Sequence, residues 1–364
     1  MRVLIAPDSF KGTLGAAEAA AALAQGWSRQ RPDDVVSTLP LADGGDGTLA
    51  VVEAATAGAQ RRTVEVADAR GRATHADWLA LPDGTALVEA AQAVGLGDLP
   101  PQERDPLTAT SYGVGQLLAA AAREARAITV GLGGSATSDG GGGLATALGH
   151  RLLRADGNGV KVGARWLTEL DRVVPGPPLG VPVDVAVDVT NPLLGPEGAV
   201  AVFAPQKGAT EDDLPVLEEA LAHLADIAER DLPGGPWRDL PGAGAAGGLG
   251  WALAAFCGAR LRSGGEWIAE LVGFDAALAQ ADAVVFAEGS LDAQTTGHGK
   301  IGAHVAARAR ARGTRLLAVA GAVSDEARAA FDDVEALGPE GLERPAELAA
   351  ERAATLASRV DARA

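Results

Sequence analysis

The stretch RVLIAPDSFKGT, residues 2–13, sets the expected fold class of this chain. A short apolar run of strand length leads into a polar loop that contains glycine, and an alanine-rich segment with helical spacing follows over residues 14–30. The same order returns in VVSTLPLADGGDGT, residues 35–48, ahead of the helical segment LAVVEAATA. This repeated order of strand, loop and helix predicts a parallel sheet covered by helices.

The pattern changes near Arg61, and it changes back towards the end of the chain. Residues 61–91 alternate apolar and polar side chains around ARG and PDG turns, which favours antiparallel strands. Helices are predicted over residues 114–125, 144–153, 214–230 and 303–312, and strands within residues 127–133, 181–189, 281–290 and 315–323. The returning order of strand and helix suggests that both ends of the chain share one domain.

A chain of 364 residues is too long for one ordinary core, and its 47% hydrophobic residues suffice for two. We therefore predict an α/β protein with a discontinuous parallel-sheet domain, residues 1–60 and 281–364. The inserted domain, residues 61–280, would carry the antiparallel strands and most of the glycine-rich loops.

Composition excludes several classes of partner. A formal net charge of −17 and 4% aromatic residues leave no broad basic surface and few stacking platforms, so nucleic acid and anionic membranes are poor partners. The single cysteine, Cys257, excludes an intramolecular disulfide or a cysteine-clustered zinc site and fits a reducing cytoplasm. No signal peptide can be laid out at the N-terminus. Residues 242–259 are uncharged but rich in alanine and glycine, which predicts a buried helix rather than a membrane span.

The polar loops that follow predicted strands carry the candidate chemistry, because ligands of open α/β sheets bind at the carboxyl ends of strands. Phosphoryl transfer needs backbone amides and a cation for the phosphates, carboxylates for magnesium, and a group that orients the acceptor hydroxyl. The candidate magnesium ligands are Asp8, Asp43, Asp46, Asp139, Asp188, Glu288 and Asp292. The candidate cations are Lys11, Lys207 and Lys300.

Each of these residues also has a plain structural interpretation. Asp8 and Asp43 are typical of helix caps and turns, and Lys207 in APQKG is typical of a solvated loop lysine. The histidines show no metal-ligand spacing, although His298 lies beside Lys300 in a glycine loop. The segment GLGGSATSDGGGG, residues 131–143, lacks the lysine of a Walker loop and meets only the alanine-ended variant of the dinucleotide fingerprint.

Taken together, the loops resemble the bacterial glycerate kinase family, of the glycerate 2-kinase type. The motifs that carry the resemblance are APDSFKG at 6–12, LPLADGGDGT at 39–48, GLGGSATSDGG at 131–141, NPLLGPEGAVAVFAPQKGA at 191–209, LPGAGAAGGLG at 240–250 and EGSLDAQT at 288–295. They stand in the family's order and span most of the chain. Such an ordered series is far more specific than any one glycine loop.

The resemblance implies ATP-dependent phosphorylation of D-glycerate to 2-phosphoglycerate with Mg²⁺. It also implies two α/β domains, one flavodoxin-like and discontinuous and the other inserted, with the active site in the cleft between them. The matched motifs contain the residues that we predict to be catalytic, which are Asp188, Asp292, Lys11 and Asp43. Our working hypothesis is in-line transfer, in which Asp188 or Asp292 orients or deprotonates the acceptor hydroxyl. The residues implied for substrate or nucleotide binding are Asp8, Ser9, Gly44, Gly45, Gly133, Gly134, Ser135, Asn191, Gln206, Lys207, Gln294 and Lys300. Arg104 is added to this group because its guanidinium can neutralise a carboxylate. Asp139 and Glu288 are the implied metal ligands.

The chain departs from the family pattern in three places. Phe286 and Ala287 replace the threonine and glycine that usually precede the acidic loop, and Ser138 replaces an asparagine. QTTGHGKIGAH, residues 294–304, lacks the usual proline and is shifted by about one residue, which weakens the assignment of Lys300. For the carboxylate of glycerate, we expect Lys11 with Ser9, or Arg104, to supply the positive charge.

Other functions remain open at this stage. The same loops suit a kinase of another small hydroxy acid or sugar, or a glycerate kinase that yields 3-phosphoglycerate. A nucleotide-sensing module without turnover is disfavoured, because the loop carboxylates repel phosphate unless magnesium is present. A nicotinamide-dependent oxidoreductase is disfavoured because DSFKG, rather than a glycine fingerprint, follows the first strand. The sequence is silent on oligomeric state.

Overall fold

The computed structural model describes residues 1–10, 12–292 and 300–360. The strands are β1 (Arg2–Pro7), β2 (Val35–Thr38), β3 (Gln60–Ala67), β4 (Ala73–Ala80), β5 (Thr85–Glu89), β6 (Ala127–Gly131), β7 (Arg151–Leu153), β8 (Arg172–Val174), β9 (Val183–Val187), β10 (Arg260–Ser263), β11 (Ala283–Leu291), β12 (Arg315–Val323) and β13 (Asp333–Ala336). The α-helices are α1 (Ala16–Gln30), α2 (Thr48–Ala55), α3 (Ala91–Val94), α4 (Tyr112–Ala121), α5 (Gly142–Ala147), α6 (Ala199–Phe203), α7 (Asp213–Asp231), α8 (Ala245–Cys257), α9 (Gly264–Leu271), α10 (Phe274–Leu278), α11 (Ile301–Arg312), α12 (Asp325–Arg328) and α13 (Pro345–Arg359).

The chain forms two compact units. The parallel-sheet unit comprises Met1–Asp43, Ala50–Thr56 and Ser263–Ala364, and the mixed-sheet unit comprises Gly44–Leu49 and Ala57–Arg262. Helices α9 and α10 thus pack with the parallel sheet, whereas the predicted domain boundary assigned them to the insertion. Phe274 and Leu278 of α10 are fully buried in the same core cluster as Leu4 and Phe286 of the sheet, which accounts for their place.

The parallel-sheet unit confirms the expected winding. Its strand order is β13-β12-β11-β1-β2, and each neighbouring pair is parallel. In order of appearance the strands run 2-1-3-4-5, which is the flavodoxin-like arrangement. Side chains alternate between two covered faces: Val3 and Ile5 are buried with α1 and α13, whereas Leu4 and Ala6 are buried with α10 and α11.

The mixed-sheet unit contains the antiparallel strands expected after Arg61. Its six-stranded sheet has the order β10-β9-β6-β5-β4-β3. The β3–β4 and β4–β5 pairs are antiparallel, whereas β5, β6 and β9 run parallel, so their carboxyl ends lie at one edge. This edge receives the glycine-rich loops.

Two segments of the mixed-sheet unit bear on the predictions. The helix expected over residues 144–153 ends at Ala147, and residues 151–153 form β7 paired with β8, because Gly149 takes a φ of 91° that turns the chain. The prediction of a buried helix within residues 242–259 is confirmed by α8, in which Trp251 is fully buried. Within the described ranges, no helix combines the length and hydropathy needed to cross a membrane.

Candidate active site

The second and third sequence motifs meet through their backbones in the mixed-sheet unit. A Cβ placed on Gly131 would lie 2.3 Å from Gly44 O, and one on Gly133 would lie 2.5 Å from Gly45 Cα. Only glycine permits so close an approach of two chain segments. Gly44 also packs against Ala186 of β9. The loops ADGGDG and GLGGS therefore share the carboxyl edge of β6 and β9.

A further motif, LPGAGAAGGLG, packs against the same loop from another side. Gly247 has a φ of 68°, and a Cβ there would lie 2.1 Å from Thr137 O. The Gly140 amide donates to Gly247 O at 3.0 Å, and Ala246 also adopts a left-handed conformation, with φ of 54°. Left-handed backbone at a residue other than glycine is uncommon and clusters at functional sites. These contacts hold the buried half of GLGGSATSDGGGG in place.

Asp139 is the internal anchor of that loop. Its side chain is fully buried and accepts hydrogen bonds from Ser111 N at 2.8 Å, Ser111 Oγ at 2.9 Å, and the amides of Gly141 and Gly143, each at 3.1 Å. Burial raises the pKa of Asp139, and the donors from Ser111, Gly143 and Gly141 oppose this rise. Because both carboxylate oxygens are engaged by protein donors, the contacts favour a structural role over the predicted metal-ligand role.

Lys207 lies inside the protein, so its interpretation as a solvated loop lysine was wrong. Its side chain is 2% exposed, and Nζ donates to Thr137 O at 2.6 Å and lies 3.4 Å from Ser135 Oγ. Burial lowers the pKa of Lys207 to about 7, and the charge of Asp139 opposes this shift. The residue ends the short 3₁₀ turn Pro205–Lys207. Sequence reasoning missed its burial because the contacting residues lie about 70 positions away.

The remaining predicted residues of the mixed-sheet unit have varied surroundings. Asp188 is half-buried directly after β9, at the edge that carries the glycine loops. Asn191 donates to Glu197 O at 2.7 Å and so closes its own turn, whereas Gln206 is exposed. The Arg104 guanidinium donates to Leu99 O at 3.2 Å. Asn191 and Arg104 therefore hold loop backbone, and their predicted ligand contacts stay predictions.

The parallel-sheet unit gathers its candidates at the carboxyl ends of β1, β2 and β11. The Asp8 amide donates to Ala287 O at 2.8 Å, so Asp8 lies beside the start of the EGS segment, and its carboxylate accepts from Ser9 N at 2.6 Å. Asp43 is half-buried after β2.

The expectation of a loop at EGS was wrong. Glu288, Gly289 and Ser290 belong to β11, which continues beyond β1 because its residues up to Leu291 pair with β12. Asp292 follows this strand, and Lys300 is half-buried directly before α11. Lys11, Gln294 and His298 lie outside the described residues.

Glu89 is a buried carboxylate beside the ADGGDG loop that the sequence reasoning did not single out. It ends β5, is 1% exposed, and accepts hydrogen bonds from Leu49 N and, at 3.2 Å, from Gln92 Nε2. Burial raises the pKa of Glu89 to about 7, and the neighbouring charge of Asp46 acts in the same direction. A carboxylate at the end of an apolar strand, TALVE, was the available signal. Glu89 fastens the end of the ADGGDG loop.

Comparison with known proteins accounts for this arrangement of loops. The model of the glycerate kinase family matches residues 3–359. The chain belongs to the glycerate kinase family. It is similar to the glycerate kinase of Bacillus subtilis strain 168, with 42% identity over 91% of this chain and 87% of that protein. It is also similar to the glycerate 2-kinase of Escherichia coli K12, with 40% identity over 90% and 86% of the two chains.

A solved structure supports the fold of this family member over its full length. The crystal structure of a candidate glycerate kinase 2 from Salmonella typhimurium LT2 matches with a TM-score of 0.82 and 40% identity, over 100% of this chain and 98% of that one. The predicted α/β fold and family assignment are thereby confirmed.

Family membership also implies a kinase, which raises the question of magnesium. Among the described residues, no group of three or more His, Cys, Asp or Glu side chains is arranged to hold a metal ion. Magnesium in kinases commonly takes only one or two carboxylates and completes its shell with phosphates and water. The donor chemistry of Asp8 and Glu288, next to each other at the ends of β1 and β11, fits that requirement.

Proposed function

We propose that this protein transfers the γ-phosphoryl group of ATP to D-glycerate and forms 2-phosphoglycerate. The observation that carries the proposal is the assembly of family motifs at the edge of β6 and β9. There, loops from distant parts of the chain approach through glycine backbones, and Thr137 O and Ser135 Oγ lie against the ammonium of the buried Lys207. Backbone amides and a buried cation are what a site for anionic substrates requires.

The proposed reaction is an in-line displacement at phosphorus. The bond between Pγ and the β,γ-bridging oxygen breaks, the glycerate hydroxyl oxygen bonds to Pγ, ADP leaves, and the hydroxyl proton passes to a carboxylate. We assign that proton to Asp188, which lies at the edge of the glycine loops, with Asp292 as the alternative acceptor. The backbone amides of the exposed residues Gly133 and Gly134 are assigned to the phosphates. Positioning and charge neutralisation supply most of the rate in such reactions.

Asp8 and Glu288 would hold Mg²⁺, and bound magnesium would neutralise the negative charge of the phosphates. The roles of Lys11, Asp43 and Lys300 in catalysis and binding remain part of the proposal. We propose the cytoplasm as the compartment, because ATP is the phosphoryl donor.

Carbon and phosphorus NMR of the product from D-glycerate and ATP tests substrate, reaction and position together. In the proton-coupled phosphorus spectrum a doublet, from the single proton on C2, is the expected result, and a triplet from the two protons on C3 would refute 2-phosphoglycerate as the product. Adding EDTA should abolish turnover if magnesium takes part. A panel of small hydroxy acids and sugars, followed by ADP release, would show whether glycerate is the preferred acceptor.

A further inference from the structure

Within the segment GLGGSATSDGGGG, an exposed pair of glycines is followed by a buried run of residues. Gly133 and Gly134 are exposed, whereas the residues from Ser135 to Gly140 are buried. Thr137 and Ser138 are 0% and 1% exposed. The two parts therefore present different environments to a ligand, one of exposed backbone and one of buried side chains.

Two hydroxyl groups in the buried part lack hydrogen-bond partners within the part of the chain that the structure describes. They are Thr137 Oγ1 and Ser138 Oγ. Buried polar groups are nearly always partnered, and an unpartnered one costs about 1–3 kcal/mol of stability. Two such groups on consecutive residues are therefore candidates for hydrogen bonds to a ligand atom.

The ammonium of Lys207 also has fewer hydrogen-bond acceptors than it has N–H groups. Its three N–H groups face two recorded acceptors in the described ranges, Thr137 O and Ser135 Oγ. No carboxylate among the described residues forms an ion pair with Lys207. The carboxylate that acts on it electrostatically, Asp139, already accepts bonds from Ser111, Gly141 and Gly143. A lysine this deeply buried either loses its proton or is matched by an anion, and a bound anion would hold Lys207 in its charged form.

We propose that Lys207, Thr137 and Ser138 bind the carboxylate of D-glycerate, an inference that rests on the proposed function. One N–H and two O–H donors suit the two oxygens of a carboxylate. Lys207 carries at most one positive charge, and the nearby charge of Asp139 partly offsets it. Such a site balances the single charge of a carboxylate better than the several charges of the ATP phosphates. This site is an alternative to the two predicted from the sequence, Lys11 with Ser9 and Arg104, whose guanidinium donates to Leu99 O.

The decisive variant is Thr137→Val, which removes the hydroxyl and keeps the shape of the side chain. The KM for D-glycerate should rise about tenfold or more, because a hydrogen bond to a charged group is lost, and the KM for ATP should stay within about twofold. The melting temperature should stay equal or rise, because an unpartnered buried hydroxyl has been removed. Ser138→Ala should behave in the same way.

Thr146→Val is the matched control, since Thr146 Oγ1 already donates to Gly142 O at 2.8 Å. It should lower the melting temperature and leave both KM values unchanged. An unchanged KM for D-glycerate in Thr137→Val, or a rise in the KM for ATP alone, would overturn the carboxylate assignment. A rise in the KM for ATP alone would instead indicate that Lys207, Thr137 and Ser138 bind a phosphate of ATP.

Lys207→Met tests the charge with an altered substrate. The wild-type enzyme should prefer D-glycerate to D-glyceramide, which lacks the negative charge, and the variant should lose that preference in kcat/KM. A retained preference would count against this inference alone. If the wild-type enzyme forms no ADP with D-glycerate, the proposed function fails as well, so the two failures are distinguishable.

Discussion

Replacing Asp139 by asparagine decides between the anchoring role that its contacts favour and the metal-ligand role predicted from the sequence. Asp139 Oδ2 accepts three bonds, from Ser111 N, Ser111 Oγ and Gly143 N, and Oδ1 accepts one from Gly141 N. In Asp139→Asn, the amide oxygen can keep the three donors, but the NH₂ group then faces the Gly141 amide.

The magnitude follows from these bonds. One hydrogen bond to a charged acceptor is lost, at about 1.5–3 kcal/mol, and the Gly141 amide becomes a buried unpaired donor at about 1–3 kcal/mol. The three remaining bonds weaken because their acceptor is neutral, whereas removal of a buried charge offsets part of the loss. We expect the free energy of unfolding to fall by about 3–5 kcal/mol.

Urea denaturation followed by tryptophan fluorescence measures this change in the free energy of unfolding. The fully buried Trp251 lies in the mixed-sheet unit and reports on the unfolding of that unit. Asp156→Asn is the control, because Asp156 accepts a turn bond from Asn158 N at 2.9 Å on an exposed loop. It should cost less than about 1 kcal/mol. A stability of Asp139→Asn equal to wild type, together with an altered magnesium dependence of turnover, would refute the anchoring role and restore the metal-ligand role.

Three further predictions concern other buried positions. The pKa of Glu89 is raised to about 7 in the folded state, whereas the unfolded state releases this proton near the ordinary pKa of 4.5. The free energy of unfolding therefore falls as the pH rises from 4.5 through 7. Glu89→Gln should therefore flatten the fall of the melting temperature between pH 5 and 8, and an unchanged slope would contradict the assignment. Gly133→Ala should reduce kcat/KM by about tenfold or more, because the new Cβ would meet Gly45 Cα at 2.5 Å, and wild-type kinetics would exclude a tight packing of the two loops. Gly26→Ala should destabilise the parallel-sheet unit by about 2 kcal/mol or more in thermal unfolding, since its Cβ would lie 1.9 Å from Ala350 O of α13; Gly15→Ala, with its nearest contact at 3.5 Å, should be tolerated.

Local pattern was sufficient for the winding and for most of the predicted elements, although residues 151–153 and 288–290 are strand rather than the predicted helix and loop. An apolar run of strand length predicts the strands Arg2–Pro7 and Arg315–Val323, and glycine with polar residues predicts where the chain leaves the first of them for a helix. Period and turn chemistry act over a few residues, so they can be read without knowing the rest of the fold. The ordered motifs likewise identified the family, because each motif is a short contiguous stretch.

The burial of a polar side chain and the identity of its hydrogen-bond partners, by contrast, depend on residues far apart in the chain. Nothing in APQKG distinguishes a buried Lys207 from a solvated one, because its hydrogen-bond acceptors, Ser135 Oγ and Thr137 O, lie in the loop after β6, about 70 positions away in the sequence. The four donors that occupy Asp139, and the strand pairing that draws Glu288 into β11, are also set by segments distant in sequence. Solvation free energy and hydrogen-bond competition are properties of the assembled environment, and they determine which of these polar residues can meet a ligand.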